Sequence, residues 1–198
     1  MPVQRRRNVL IAATLLGGVA IAAPAQAIPL IGIGASGGAY VGVLTNKQSG
    51  FAFELEGSGQ ALGLDVAGNL LGNMGAGGKQ LEVGLRKELS FIPMVSVKPM
   101  VGYQGQSFFT GTWDHAPLAR LDLGFSPILS PVWFDGTVGV SYPFGFGHPV
   151  GQAMIGGNLA LLPLASIGVR YRTYQDLSGS TGGSRDFGAV EVGLRVTI

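Results

Sequence analysis

Side chains along most of this chain alternate with a period of two. Apolar residues hold one set of positions, and charged residues or glycine hold the other. From Lys79 to Leu89, Leu81, Val83 and Leu85 interleave with Glu82, Gly84, Arg86 and Glu88. From Val95 to Gln106, Val95, Val97, Pro99, Val101 and Tyr103 interleave with Ser96, Lys98, Met100, Gly102 and Gln104. The pattern returns over Leu118–Ser126, Val132–Tyr142, Ala165–Tyr174 and Asp186–Ile198. A strand sends successive side chains to opposite faces, so this period predicts an all-β chain with one apolar and one polar face per strand.

The polar set carries the information. With Phe51–Gly57 included, it collects the acids Glu54, Glu56, Glu82, Glu88, Asp122, Asp135 and Glu191. It also collects the bases Arg86, Lys98, Arg120, Arg170, Arg172 and Arg195. Near-equal numbers of opposite charge on one face suit an interior where they neutralise one another. On a solvent face such pairs contribute little.

Helical alternatives fail on composition. After the first 27 residues no apolar run reaches the 18 or more that a spanning helix needs. The chain holds 34 glycines, which disfavour helix, and they show no triplet period. Cysteine is absent, so neither disulfides nor thiolate metal sites can form.

The first residues have the order of an export signal. Arg5, Arg6 and Arg7 precede an apolar run from Val9 to Ala23, and Ala25-Gln26-Ala27 has the small-x-small form of a cleavage site. Residues 1–27 are therefore expected to be a cleaved signal peptide, leaving residues 28–198 as one domain. Removing it leaves ten basic and eleven acidic side chains, a net charge of −1. The basic balance belongs to the leader, no basic patch suits phosphate, and no nucleic-acid partner is expected.

An exported β chain with one apolar face per strand can be a soluble sheet with one wet face or a barrel in a membrane. Three features favour the barrel. The apolar face recurs on strand after strand. Glycines sit among the charges, which lets a narrow lumen pack. Tyr40, Tyr103, Tyr142 and Tyr171 are placed to form a girdle near strand ends.

Prolines punctuate the chain. Ile28-Pro29-Leu30, Ile92-Pro93-Met94, Ser130-Pro131-Val132 and Leu162-Pro163-Leu164 each precede a strand, a place suited to a residue that cannot donate to a ladder. These are read as short periplasmic turns. Thr110–Pro117, Pro143–Gln152 and Asp176–Arg185 are read as longer outer loops, with Trp113, His148 and Gly182 facing outside. The interval from Pro29 to Pro93 is 64 residues, against 38 and 32 for the next two. Its excess contains Phe51–Gly57 and Gln60–Gly68, joined by Ser58-Gly59, which look like a further hairpin. The barrel has ten strands if that hairpin joins the wall, and eight if it stands above the membrane.

The leader, the alternating strands and the closing run Val190-Glu191-Val192-Gly193-Leu194-Arg195-Val196-Thr197-Ile198 resemble the small outer-membrane β-barrel superfamily of the OmpA, OmpX or OmpW kind. The resemblance implies an antiparallel up-and-down transmembrane barrel, exported through the Sec pathway and inserted by the barrel-assembly machinery. It implies a monomer surrounded by outer-membrane lipid, with no cofactor. Such barrels usually end on an aromatic residue, whereas this chain ends on Ile198.

Three functions are weighed. A non-enzymatic barrel with an envelope-structural or surface-interaction role comes first. A narrow channel for small solutes comes second, because eight strands leave a lumen that side chains fill. Some barrels resembling this one modify lipid A, and acyl transfer needs a serine, a base and an acid in contact. Only His115, beside Asp114 and near Ser107, and His148 could supply the base. Gly32-Ile33-Gly34-Ala35-Ser36-Gly37 matches a dinucleotide fingerprint in letters, but no helix pattern follows it. Asp176 and Asp186 flank a glycine-serine loop and support calcium only weakly.

Overall fold

The computed structural model describes residues 34–45, 50–61, 64–73, 78–108, 111–178 and 187–198. The strands are β1 (Gly34–Leu44), β2 (Phe51–Ala61), β3 (Leu64–Asn73), β4 (Lys79–Arg86), β5 (Leu89–Ile92) and β6 (Val95–Gln106). They continue as β7 (Asp114–Phe125), β8 (Val132–Ser141), β9 (Val150–Leu162), β10 (Ala165–Asp176) and β11 (Phe187–Thr197). All neighbours pair antiparallel. β1 pairs with β11 through registers such as Tyr40↔Gly193, and β4 pairs with β6 from Gln80↔Gln106 to Arg86↔Met100. β5 pairs with the start of β6, so β4 and β5 form one stave interrupted at Lys87 and Glu88. The sheet therefore closes into a barrel of ten staves. Closure leaves no unpaired edge, the condition a sheet must meet in lipid.

The extra hairpin joins the wall, which settles the strand count at ten. Ser58-Gly59 is not its turn: both residues lie within β2, and the chain reverses between Ala61 and Leu64. The Lys79–Leu89 alternation is one run in sequence but two strands in space. β9 carries no charge, and its lumen positions Gln152, Met154, Gly156 and Asn158 give no contrast with the small outward residues Gly151, Ala153 and Gly157. Alternation does not reveal such a strand, and only the up-and-down count requires it.

One end of the barrel carries the short connections. Pro93-Met94 joins β5 to β6, Pro163-Leu164 joins β9 to β10, and residues 126–131 join β7 to β8. Met94 follows Pro93 with φ of 85°, the arrangement of a type II turn, which normally takes glycine at that position. The opposite end carries the longer loops, which are shorter than the sequence suggests. Asp114 already begins β7, Val150 begins β9, and Asp176 still belongs to β10. The leader with its cleavage site, Ile28-Pro29-Leu30, Gly32, Ile33, Gly182 and Asp186 lie outside the described residues.

The outward face is apolar on stave after stave: Val41, Val43, Leu55, Val83, Leu85, Val101, Val138, Ile155, Val169, Val192 and Leu194 are all exposed. In water this belt would far exceed the apolar patches that soluble proteins tolerate. In a bilayer it is the expected surface. Tyr103, Tyr142 and Tyr171 stand on this side. Tyr40 does not belong to the girdle. It points into the lumen and is 3% exposed, its ring lying against Gly193 and Gly38, where any Cβ would collide with it.

Candidate functional site

The lumen is the only place where this chain concentrates chemistry among the described residues. At mid-height, Arg170 on β10 reaches three carboxylates. Its Nε donates to Glu191 Oε2 at 2.7 Å, Nη1 donates to Glu56 Oε2 at 3.0 Å, and Nη2 donates to Glu54. Two residues along the same face, Arg172 donates from Nη2 to Glu54 Oε1 at 2.7 Å and from Nη1 to the Tyr174 hydroxyl at 3.1 Å. Asn69 Nδ2 also donates to Glu54. Period two places Arg170 and Arg172 on one face, and the closure of β1–β2 against β10–β11 brings Glu54 and Glu56 to them. Glu54, Glu191, Arg170 and Arg172 are all buried.

A second cluster lies on the other side. Arg120 donates to Glu82 Oε2 at 2.7 Å and to Asp122 Oδ2 at 2.9 Å. Arg86 donates to Asp65 and to Asp122, the latter at 3.1 Å, and Thr137 donates to Asp122 at 3.0 Å. Gln80 and Gln104 donate to Glu82, and Gln80 also donates to Tyr174, which ties the two clusters together. Nearer the short-turn end the pairing loosens. Arg195 stands 3.7 Å from Glu56 and 3.9 Å from Asp135, while Lys98 pairs with Glu88 at 2.9 Å.

The structure thus brings twelve of the thirteen charges read from sequence onto lumen-facing strand positions, with Glu88 at the break between β4 and β5. Asp65 escaped that reading. Its segment, Gln60–Gly68, stands open in the sequence between a wall strand and a hairpin above the membrane, although Asp65 alternates with Leu64 and Val66 as the others do. Asp114 was also missed. It faces inward at the long-loop end, where its carboxylate accepts the amides of Gly145 at 2.8 Å and Phe146 at 2.9 Å.

Above the ionic layer, toward the long loops, an apolar cluster shares the lumen with the buried polar side chains Gln106, Asp114, Ser141 and Gln152. Leu71, Ala52, Val150, Tyr174, Phe187 and Ala189 form a buried cluster with Phe108 and Phe146 of the loops packed onto it, Phe108 stacking on Phe187 at 4.9 Å. Below the layer a cavity of about 650 Å³ opens at the short-turn end, past Ile92, Pro93, Met94 and Ser126. From the short-turn end the lumen thus holds a vestibule, an ion-pair layer and an apolar cluster in succession.

The residues considered for acyl transfer do not assemble. His115 stands on the outward side of β7, where its Nδ1 meets the Tyr103 hydroxyl, while its neighbour Asp114 faces the lumen. Ser107 is occupied by the Lys79 amide at 3.0 Å, and His148 packs edge-on against Phe146 at 5.5 Å.

The outer membrane protease OmpT from Escherichia coli superposes with a TM-score of 0.54 at 9% identity, covering 89% of this chain and all of that one (100%). The chain has the fold of an outer-membrane β-barrel protein. This barrel is similar at a lower level to an anion-selective porin from Comamonas acidovorans, with TM-score 0.45 and 12% identity over 75% of this chain. It spans about half of that porin, 49% of its length. Neisserial surface protein A gives a TM-score of 0.37 at 16% identity, over 83% of this chain and 96% of that one. No protein-family model and no curated protein matches the chain. A shared fold at 9% identity carries no activity over, so function must be argued from the lumen and the surface.

Proposed function

We propose that this protein is a closed, non-enzymatic barrel of the outer membrane, with an envelope-structural or surface-interaction role. In this reading it is exported by the Sec pathway and inserted by the barrel-assembly machinery, with the short turns in the periplasm and the long loops outside. The mid-lumen partition is the observation that supports it. A solute crossing the barrel would have to separate Arg170 from Glu54 and Glu191, groups that are desolvated and mutually paired. Breaking such a pair exposes an uncompensated buried charge at a cost of roughly 3–5 kcal/mol. It would then meet the apolar cluster around Tyr174 and Phe187. The opposed directions of Asp114 and His115 count against acyl transfer, because a base needs its orienting acid within hydrogen-bond reach.

Planar bilayer recording tests this directly. The purified barrel is expected to insert without producing stable conductance steps. Reproducible open-pore steps in the absence of denaturant would replace this reading with the channel.

A further inference from the structure

Fixed charge is almost absent from the outward wall. Among the described strand residues on that face, Lys79 on β4 is the one ionic side chain, and it is exposed with no ion pair among them. Lys87, eight residues further along the same stave, is exposed at the break between β4 and β5, with exposed Leu81, Val83 and Leu85 between the two lysines. Eight residues of a strand tilted by ~40° rise about 20 Å along the membrane normal, close to the ~25 Å apolar band of such barrels. A lysine stem runs along apolar surface and places its ammonium in the polar zone. Lys79 therefore marks the headgroup level at the long-loop end, and Lys87 marks it at the short-turn end.

The neighbours of Lys79 across the sheet are hydrogen-bond donors. Ser107 stands directly opposite: its amide donates to the Lys79 carbonyl at 2.8 Å, and its Oγ accepts the Lys79 amide at 3.0 Å, which leaves the hydroxyl hydrogen to point elsewhere. Trp113 lies on the next stave over, one residue beyond the Gln106↔Asp114 pair. Its indole rests flat on the wall over Gly105, where a Cβ would come within 2.4 Å of the ring. His115 pairs with that same Gly105 and is exposed. Its Nδ1 meets the Tyr103 hydroxyl, and with the tyrosine donating, the imidazole carries its hydrogen on Nε2. An ammonium, a hydroxyl, an indole N–H and an imidazole N–H thus share one level on three adjacent staves. The acids of the same staves, Glu82 and Asp114, are buried on the lumen side.

We propose that this patch on β4, β6 and β7 holds the phosphate of a phosphorylated glycolipid in the outer leaflet. Lys79 supplies the charge, Ser107, Trp113 and His115 supply directed donors, and the acyl chains lie along the apolar wall below, over Val83 and Val101. Donors without a carboxylate select an oxyanion, and bonds to a charged acceptor are about twice as strong as neutral ones. A tetrahedral phosphate offers oxygens to donors on several staves at once. The inference rests on the reading that the long loops face outside, which puts the patch in the outer leaflet.

Native mass spectrometry of the whole barrel, refolded in detergent, tests this with lipid A bearing its phosphates and with the same lipid dephosphorylated. The phosphorylated form is expected to be retained about tenfold more tightly, and Lys79→Gln should remove most of that difference. Lys79→Arg should keep it, and Lys87→Gln, at the opposite interface, should leave it unchanged. Equal retention of the two lipids, equal losses in Lys79→Gln and Lys87→Gln, or displacement of the lipid by an equal concentration of inorganic phosphate would overturn the proposal. Orientation is read separately. The chain has no cysteine, so Phe144→Cys gives a single thiol in a long loop. Labelling of intact cells by a membrane-impermeant maleimide is expected. An unlabelled thiol sinks the orientation, whereas a labelled barrel that does not distinguish the two lipids sinks the phosphate site alone.

Discussion

The guanidinium carbon of Arg170 lies 3.3 Å from the centre of the Tyr40 ring, inside the barrel and directly over the aromatic face. Tyr40 is paired across the seam with Gly193, which leaves room for the ring to lie flat. The ring covers Arg170 on one side while Glu54, Glu56 and Glu191 engage its nitrogens. Arg170→Met should therefore destabilise the barrel by roughly 3–5 kcal/mol, since three carboxylates lose their shared cation. Arg170→Lys should recover little, because one ammonium cannot reproduce a planar fork reaching three acceptors. Denaturant unfolding of the refolded barrel in lipid vesicles measures both.

Val192 lies midway along β11 on the outward face, between Val41 and Val169 of the neighbouring staves. Val192→Arg should cost roughly 2–4 kcal/mol in a bilayer. Phe144→Arg, in a long loop at an exposed position, should cost little. Equal vesicle insertion by the two variants would contradict the membrane-facing assignment of the outer wall.

Asp114 holds the β8–β9 loop by accepting two of its amides, and Phe146 of that loop packs on the apolar plug. Asp114→Ala removes both acceptors. Limited proteolysis should then cut within residues 142–149 faster than in the parent, with the barrel itself still resistant.

Among the described residues, neither His115 nor His148 has both an acid and a nucleophile beside its ring. His115→Ala and His148→Ala are expected to leave assembly intact and the acylation pattern of lipid A unchanged. Mass spectrometry of lipids from cells with the parent, each variant and no protein gives the answer. A pattern that depends on the protein and on either histidine would establish an enzyme.

Met94 occupies a left-handed conformation, at φ of 85°, in the Pro93-Met94 turn. A side chain there costs roughly 1–2 kcal/mol relative to glycine, offset in part by the greater freedom glycine gives the unfolded chain. Met94→Gly should stabilise the barrel by about 1 kcal/mol in the same unfolding assay.

Much of this molecule is determined locally and is legible residue by residue. The period of two assigns Glu82, Arg86, Arg120, Asp122, Arg170, Arg172 and Glu191 to one face and Leu81, Leu85, Val169 and Val192 to the other. It does so wherever charge and apolar bulk contrast. Pro93, Pro131 and Pro163 mark the short turns, where the missing N–H costs no ladder bond, whereas Pro99 and Pro117 lie inside β6 and β7. The physical reason is that pleat geometry acts between adjacent residues and needs no knowledge of the rest of the chain. What the tertiary structure alone decided is everything set by closure. Strand number turned on whether β2 and β3 enter the wall, a choice between two hydrogen-bonded arrangements of the same alternating residues. Tyr40 turned inward because its even position in β1 faces the lumen, where Gly193 on β11 makes space for it. Glu54 meets Arg170, 116 residues away, because the seam between β1 and β11 brings β2 near β10. Partner choice among like charges on one face depends on stagger around the barrel, a quantity that no single strand carries.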